Sequence, residues 1–162
     1  MIRDALLNTL ANLPPTTWLL FGIVFLIYIL RRPFFKGLFG EFLVNIMLKR
    51  GLNKDEYRLY KNVTLPVVEK NGKESTTQID HIVVSPYGVF VIETKNYTGW
   101  IFGSEKQKSW TQKIYRNSFK FQNPLFQNYK HTKALESLLA LNEETVFSVI
   151  VFIGSAKLKT EM

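Results

Sequence analysis

Apolar positions near the N-terminus are continuous or helically spaced. The run WLLFGIVFLIYIL, from Trp18 to Leu30, contains no charged residue. With Thr16 and Thr17 it predicts a helix over residues 16–30, about 22 Å long at roughly 1.5 Å per residue. The next segment, FFKGLFGEFLVNIMLKRG, predicts a second helix that ends at Gly51. Its apolar residues form one broad stripe at helical spacing: Leu38, Phe39, Phe42, Leu43, Ile46 and Met47.

Alternating apolar positions further along predict strands. YRLYKNVTLPVV, TTQIDHIVVS and VFVIETK are β-like, with turns expected at Asn71-Gly72 and at Ser85-Pro86-Tyr87-Gly88. GWIFG and SWTQK predict a further short strand or hairpin. NPLFQNYKHTKALESLLAL predicts a helix capped by Asn123, and TVFSVIVFIG a last buried strand. The order is helix, three or four mostly antiparallel strands, helix, strand, which predicts an α/β domain whose sheet is covered on both faces.

The first apolar run favours a short membrane helix. A full span usually needs about 20 residues, and Trp18 and Tyr28 suit the two interfaces. Arg31 and Arg32 would place the following domain in the cytoplasm by the positive-inside rule. A cleaved signal peptide and a buried core helix are the alternatives. The long preceding region with Asp4 disfavours the first, and the all-round apolar character of the run disfavours the second.

Three regions follow from this pattern: a tail at 1–15, the membrane helix with its basic flank at 16–32, and a globular domain at 33–162. Because the sequence stops soon after the last predicted strand, a fragment of a longer chain is one interpretation of its end. The chain has no cysteine, so it has neither disulfides nor thiolate metal ligands. Its net charge of +8 favours a polyanionic partner, either nucleic acid or an anionic membrane surface.

Three charged residues fall inside the predicted central hairpin: Asp80, Glu93 and Lys95. A type I turn at Pro86-Tyr87 pairs residues whose numbers sum to 173, which places Asp80 opposite Glu93 and Gln78 opposite Lys95. Strand alternation puts Glu93 and Lys95 on one face and His81 on the face away from Asp80. We therefore expect His81 to be a packing residue and the three charges to form one cluster with Gln78.

Two facing carboxylates about 5 Å apart repel each other by roughly 3 kcal/mol at an effective dielectric of about 20. A divalent metal ion removes this repulsion and prefers such oxygen ligands. We therefore predict Asp80 and Glu93 to be ligands of Mg²⁺ or Mn²⁺, with Lys95 placed to orient a water molecule or to stabilise charge on phosphorus. A solvated Glu–Lys pair on an edge strand is the alternative.

The order Asp, about a dozen residues, then Glu-x-Lys resembles the PD-(D/E)xK phosphodiesterase core. GEFLVNIML, TQIDHIVVSPYGVFVIETKNYTGWIFG and NPLFQNYKH, in this order, resemble the nuclease-related domain (NERD) family over residues 37–155. The resemblance implies a restriction-endonuclease-like α/β core and a nuclease. It also implies an acidic role for Glu41 in the first helix and a polar role for Gln127 in the later helix. A solvated helix glutamate remains the alternative for Glu41, and a helix-surface amide that packs near the sheet remains the alternative for Gln127. His131 is expected to lie at the surface or to contact phosphate.

A stretch without acidic residues follows the predicted cluster, from Lys106 to Lys133. Basic groups there are expected to follow the phosphates of a nucleic acid, while the interleaved aromatic residues more simply belong to the core. A solvated rim is the alternative for the charges. The predicted contacts are Lys106, Lys108, Lys113, Arg116, Lys120 and Lys130, with Lys133 at the end of the same stretch.

Together these patterns predict a membrane-anchored, metal-dependent nuclease that hydrolyses phosphodiester bonds, with DNA as the expected substrate and with Glu41, Asp80, Glu93, Lys95 and Gln127 at its catalytic site. A non-catalytic nucleic-acid-binding or membrane-associated scaffold that retains the same fold is the main alternative. A protein-interaction module beneath the membrane is the third hypothesis.

Overall fold

The computed structural model of the chain describes Arg3 and residues 12–69 and 72–159. Most of the predicted tail at 1–15 and Asn71 of the predicted Asn71-Gly72 turn lie outside these residues. The chain divides into two compact units, Met1–Lys36 and Gly37–Met162.

Helix α1, Pro15–Leu30, belongs to the first unit. Proline at its first position is compatible with a helix start, because the missing N–H would have no partner there. None of its residues is buried, and large apolar side chains such as Leu19, Val24 and Phe25 are more than 60% exposed. The helix therefore presents apolar surface all round.

Helix α2, Pro33–Gly51, ends at Gly51 as predicted, with Lys49 and Arg50 in its last turn. The apolar stripe indicated by its spacing is not the packed face of the helix. Gly40 and Val44 are the buried positions, whereas Leu38, Phe39, Phe42, Leu43 and Met47 are exposed. Apolar residues surround most of this helix, so their spacing does not single out the packed face. Gly40 determines the packed face instead, because the absence of a Cβ atom there permits the helix to approach a neighbouring strand closely.

No single helix in the described part of the chain is both long and apolar enough to cross a membrane. Taken together across the break at residues 31 and 32, α1 and α2 meet the requirements of length and composition.

The first sheet contains four strands in the order β1-β2-β3-β7. Its members are β1 (Arg58–Val68), β2 (Glu74–Ser85), β3 (Gly88–Asn96) and β7 (Val146–Ile153). β1, β2 and β3 are antiparallel neighbours, and β7 joins β3 in parallel. The mostly antiparallel sheet with a returning last strand agrees with the predicted α/β core.

Helix α3, Pro124–Leu139, packs on one face of this sheet. Asn123 caps it as predicted, by accepting a hydrogen bond from the Leu125 N–H at 2.9 Å. Leu135 of α3 joins Leu65, Ile79, Ile82 and Val91 in the buried core. A short 3₁₀ helix, Glu143–Thr145, leads into β7.

Helix α2 meets the other face of the sheet at Gly40. A Cβ built at Gly40 would lie 2.8 Å from Cβ of Asn96 and 3.0 Å from Cδ1 of Ile153. Asn96 and Ile153 are paired neighbours of β3 and β7, and alternation puts Asn96 on the face away from Lys95. His81, Val83 and Ile92 are buried as well, so both faces of the sheet are covered.

A second four-stranded sheet, β6-β5-β4-β8, extends the architecture beyond the predicted short strand or hairpin. It comprises β4 (Gly99–Phe102), β5 (Ser109–Ile114), β6 (Asn117–Gln122) and β8 (Ala156–Leu158). Trp110, only 1% exposed, stacks on Phe152 of β7 with a centroid distance of 6.3 Å. That contact joins the two sheets and confirms the expected core position of Trp110. The same expectation is wrong for Tyr115 and Phe119, which are 94% and 53% exposed.

Candidate active site

The β2–β3 hairpin has the predicted register as far as it is paired. Ser85 pairs with Gly88, and the ladder continues to His81–Ile92. Beyond this point the strands are no longer paired, so the predicted Asp80–Glu93 and Gln78–Lys95 ladder pairs are wrong. Oδ2 of Asp80 instead accepts a hydrogen bond from the Thr94 N–H at 2.8 Å. A side chain thus holds the strands together where the ladder ends.

Strand β1, which lies on the side of β2 away from β3, is irregular at the position opposite Asp80. Asn62 lies opposite Asp80 between two regular pairs of β1 and β2 and has φ of 52°, a left-handed conformation that asparagine tolerates better than most residues. Ile79 and Ile82 share one core cluster, although strict alternation would place positions three apart on opposite faces. The alternation of side chains between the two faces of the sheet is therefore interrupted at Asp80.

Asp80 is a partly buried carboxylate in a negative environment. Burial, followed by the charge of Glu93, raises its pKa to about 6 from 3.8, and Glu41 adds to the effect. The pKa of Glu41 is raised as well, first by burial and then by Glu93. Because each carboxylate influences another, Glu41, Asp80 and Glu93 form one electrostatic cluster. The predicted cluster thus forms at the end of the hairpin, where Asp80 and Glu93 are no longer a paired position of the β2–β3 ladder.

Glu93 lies at the centre of the cluster and is 2% exposed. Lys95 Nζ donates to its Oε1 at 2.7 Å, and His131 Nε2 lies 3.2 Å from its Oε2. Burial opposes ionisation, but the hydrogen bond from His131 and the charge of Lys95 outweigh it and lower the pKa of Glu93. Glu93 is therefore an ionised, oriented carboxylate.

Lys95 connects strand β3 with helix α3. Besides Glu93, its ammonium group donates to Oε1 of Gln127 at 2.9 Å. Gln127 thus occupies the place beside Lys95 that the predicted register gave to Gln78, which is exposed and pairs with Thr64 of β1. Of the five residues predicted for the catalytic site, hydrogen bonds link Glu93, Lys95 and Gln127. The charge of Glu93 contributes to the raised pKa of the other two, Asp80 and Glu41.

His131 is a member of this site that the sequence analysis placed wrongly. It is 4% exposed rather than at the surface, and its Nδ1 lies 2.8 Å from Oγ1 of Thr77. Its position one turn after Gln127 was a usable signal. Its partner Thr77 was not foreseeable, because alternation without the irregularity at Asp80 turns Thr77 away from Glu93. His81, by contrast, is 2% exposed, as expected for a packing residue.

Two buried asparagines fix helix α3 over the site. Asn128 Nδ2 donates to the carbonyl oxygen of Val91 at 2.9 Å and to Oγ of Ser148 at 2.8 Å. Asn123 Nδ2 donates to the carbonyl oxygen of Gln107 at 2.7 Å, which ties the β4–β5 loop to the helix start. These bonds set the height of Gln127 and His131 above β3.

The donor set suits a hard divalent cation. Asp80 and Glu93 supply carboxylate oxygens, and the charges of Glu93 and Glu41 add to burial in raising the pKa of Asp80. Among the described residues, no three His, Asp or Glu side chains are arranged to hold a metal ion. Mg²⁺ does not need three, because it commonly binds one or two carboxylates and keeps several waters. Asp80 and Glu93 therefore fit the predicted cofactor.

The predicted nucleic-acid contacts lie on several elements of the fold. Lys113 and Lys120 lie on the second sheet, whereas Lys106 and Lys108 lie in the β4–β5 loop and Lys130 on helix α3. All of these and Arg116 are exposed. Lys133 differs, since its ammonium group bonds Glu136 at 2.7 Å and Glu143 at 2.9 Å.

Fold and site define an α/β protein with a nuclease-like core, in which Asp80, Glu93 and Lys95 converge near the end of a hairpin. The chain belongs to the nuclease-related domain (NERD) family, whose model matches residues 36–153. The family lies within the PD-(D/E)xK-like nuclease superfamily, which confirms the resemblance noted from the sequence.

An uncharacterized protein of Bacillus anthracis is 54% identical to this chain over 107 residues. The match covers 66% of this chain and 48% of that protein, so the chain spans about half of its relative's length. No solved structure matches the chain.

Proposed function

We propose that the chain is a metal-dependent nuclease that hydrolyses phosphodiester bonds in DNA. The observation that carries this proposal is the cluster itself: two coupled carboxylates, Asp80 and Glu93, share a partly buried site with an ammonium group at 2.7 Å from one of them. Membership in a nuclease-related family supports it.

Asp80 and Glu93 would hold Mg²⁺ or Mn²⁺ in this proposal, and Glu41 would add negative charge beside them. When bound, the ion supplies a Lewis acid for the phosphate and lowers the pKa of a bound water. Lys95 contributes a fixed positive charge for the phosphorane-like transition state and a donor for the attacking water. Gln127 positions the ammonium group of Lys95 through its 2.9 Å hydrogen bond. His131 keeps one oxygen of Glu93 in place.

Cleavage of supercoiled, linear and single-stranded DNA by the purified full chain tests this assignment. We expect cleavage with Mg²⁺ or Mn²⁺, loss of cleavage with chelator, and a loss of about 10²- to 10³-fold for Lys95→Met, the range for removing one transition-state donor. Glu93→Gln should show no cleavage. Lys54→Met, at an exposed lysine outside the cluster, is the control. Equal rates for wild type and Lys95→Met would refute the catalytic role.

A non-catalytic nucleic-acid-binding module is the second candidate. The observation that favours it is the complete pairing of Glu93, whose two oxygens are already bonded to Lys95 and His131. This candidate function predicts salt-sensitive binding of DNA. It also predicts that no cleavage product forms, either in Mg²⁺ or in chelator.

We also propose that residues 16–30 attach the protein to a membrane, with the nuclease-related domain on the cytoplasmic side. Exposed apolar side chains on α1 support this, as do those on α2. Helix α1 has 16 residues, or about 24 Å at roughly 1.5 Å per residue, against a hydrocarbon core of about 30 Å. Arg31 and Arg32 directly follow it, as expected for a cytoplasmic flank.

A further inference from the structure

The second sheet has an outer face that carries exposed aromatic side chains. Ile101 and Trp110, on the inner face, are 0% and 1% exposed. Trp100 and Phe102 flank Ile101 on the opposite face by alternation, and they are 48% and 38% exposed. Their rings meet edge to face with centroids 6.3 Å apart. Two large rings therefore lie side by side at the surface of one strand.

Lysines surround these two rings. Trp100 pairs with Lys113 on one side and with Lys157 on the other. Lys120 pairs with Thr111, the cross-strand partner of Phe102. Nζ of Lys159 lies 5.6 Å from the centre of the Trp100 ring. The four strands contain no acidic residue, so the outer face is uniformly basic around its rings.

A face of this composition matches one ligand chemistry in particular. Lysines attract phosphates, and exposed rings stack on nucleobases whose faces are free. In a duplex the bases are stacked on one another and the rings cannot reach them, so among nucleic acids an unpaired strand is the form that satisfies both features. An acidic peptide would engage the lysines but would leave the rings without a flat partner.

We propose that this outer face binds single-stranded nucleic acid, with Trp100 and Phe102 stacked on unpaired bases. Lys113, Lys120, Lys157 and Lys159 neutralise the phosphates of the same strand. This inference deepens the proposed nuclease function, on which it rests for the fate of the bound strand, by naming an unpaired strand as the substrate class.

The outer face of the second sheet, called the platform from here on, is close in sequence to the cluster around Glu93. Trp100 follows Lys95 by five residues, so their Cα atoms are at most about 18 Å apart. Gly99, with φ of 80°, makes the turn into β4. A Cβ there would lie 2.3 Å from the carbonyl oxygen of Lys113, so glycine permits β4 to close onto β5. A strand held on Trp100 is thus no more than about 18 Å from Lys95, measured between the Cα atoms.

Binding measured without turnover tests the platform. Fluorescence anisotropy of labelled oligo(dT), with the full chain in chelator, separates affinity from cleavage. We expect Trp100→Ala and Phe102→Ala each to raise Kd by about 10- to 100-fold, and Trp100→Phe to restore most of the affinity. Lys157→Gln should reduce the salt slope by about 0.7. Tyr87→Ala, at a ring that is 72% exposed in the β2–β3 turn, is the matched control.

Each result has a definite consequence. Equal affinity for duplex and single strand with no effect of Trp100→Ala would overturn the platform and leave the proposed cleavage intact. Binding of anionic lipid vesicles without oligo(dT) binding would overturn it as well. Loss of oligo(dT) binding in Trp100→Ala, in a chain that cleaves no DNA with any metal, would uphold the platform and reject the nuclease.

Discussion

Glu93 is a buried carboxylate whose two oxygens have different kinds of partner. Oε1 bonds the ammonium group of Lys95, whose side chain is 17% exposed, while Oε2 bonds the buried ring of His131. A hydrogen bond to the second oxygen can persist when the first acquires another ligand. His131 is therefore a positioning residue for Glu93.

Replacement of His131 tests this role. His131→Ala leaves a buried charged oxygen without a donor, and we expect the free energy of unfolding to fall by about 1–3 kcal/mol. Mn²⁺ affinity should fall by about 10- to 100-fold, the range for residues that orient a metal ligand. His131→Gln, which still offers a donor, should recover much of both. The role is disproved if His131→Ala loses stability but binds Mn²⁺ as tightly as wild type.

Asp80 makes a separate prediction on pH. Its pKa is raised to about 6 from 3.8, so between about pH 4 and 6 the folded chain holds a proton that the unfolded chain has lost. In chelator, this proton makes the free energy of unfolding decrease as pH rises through that window.

Asp80→Asn lacks this ionisation. We expect this variant to match wild type near pH 4 and to exceed it by about 2 kcal/mol at pH 7, because roughly two pKa units correspond to nearly 3 kcal/mol and partial exposure weakens the effect. Urea unfolding at both pH values measures the difference. An equal difference at pH 4 and pH 7 would contradict the raised pKa.

At the scale of single residues, the sequence predicted which charged side chains cluster better than it predicted their hydrogen-bond partners. The turn at Pro86-Tyr87 and strand alternation were sufficient to bring Asp80, Glu93 and Lys95 together. Thr77 was missed because β1 and β2 become irregular at Asn62 and Asp80, where no proline or glycine marks the irregularity. His131 was missed although its position one turn after Gln127 indicated the same face of the helix.

At the scale of elements, the approach of helix α2 to the first sheet depends on Gly40. An added methyl group there would overlap Asn96 and press on Ile153, which displaces the helix that carries Glu41. We expect Gly40→Ala to lower the free energy of unfolding by about 1–3 kcal/mol.

Gly37→Ala is the control on the same helix. A Cβ at Gly37 meets nothing within 4 Å, so this change should raise stability by about 0.5–1 kcal/mol through helix propensity. Chemical denaturation of the two variants decides the matter. If both substitutions stabilise the protein, Gly40 is not a packing contact.

Element prediction succeeded where periodicity was accompanied by a second signal. Asn123-Pro124 marked the start of α3, and Gly51 marked the end of α2. The buried side of α2 was missed because apolar residues surround it. The second sheet was seen only in part, because strands of three to six residues are too short to show a period.

At the scale of the whole molecule, the proposed membrane attachment makes a prediction about sidedness. The chain has no cysteine, so a single introduced thiol reports its own location. Ser155→Cys, at an exposed position between β7 and β8, should react with a membrane-impermeant maleimide in cells only after the membrane is opened.

Ala11→Cys, in the tail on the other side of residues 16–30, should react in intact cells. Extraction of the protein by alkaline carbonate, or equal labelling at both positions in intact cells, would argue against a membrane-spanning helix.

The central claim is that Asp80 and Glu93 together hold a divalent cation. Titration of the full chain with Mn²⁺, followed by electron paramagnetic resonance at neutral pH, measures this directly. We expect Mn²⁺ to bind wild type, to be displaced by excess Mg²⁺, and to bind at least about 10-fold more weakly to Asp80→Asn and to Glu93→Gln. Undiminished Mn²⁺ binding in both variants, or no binding to wild type, would contradict it.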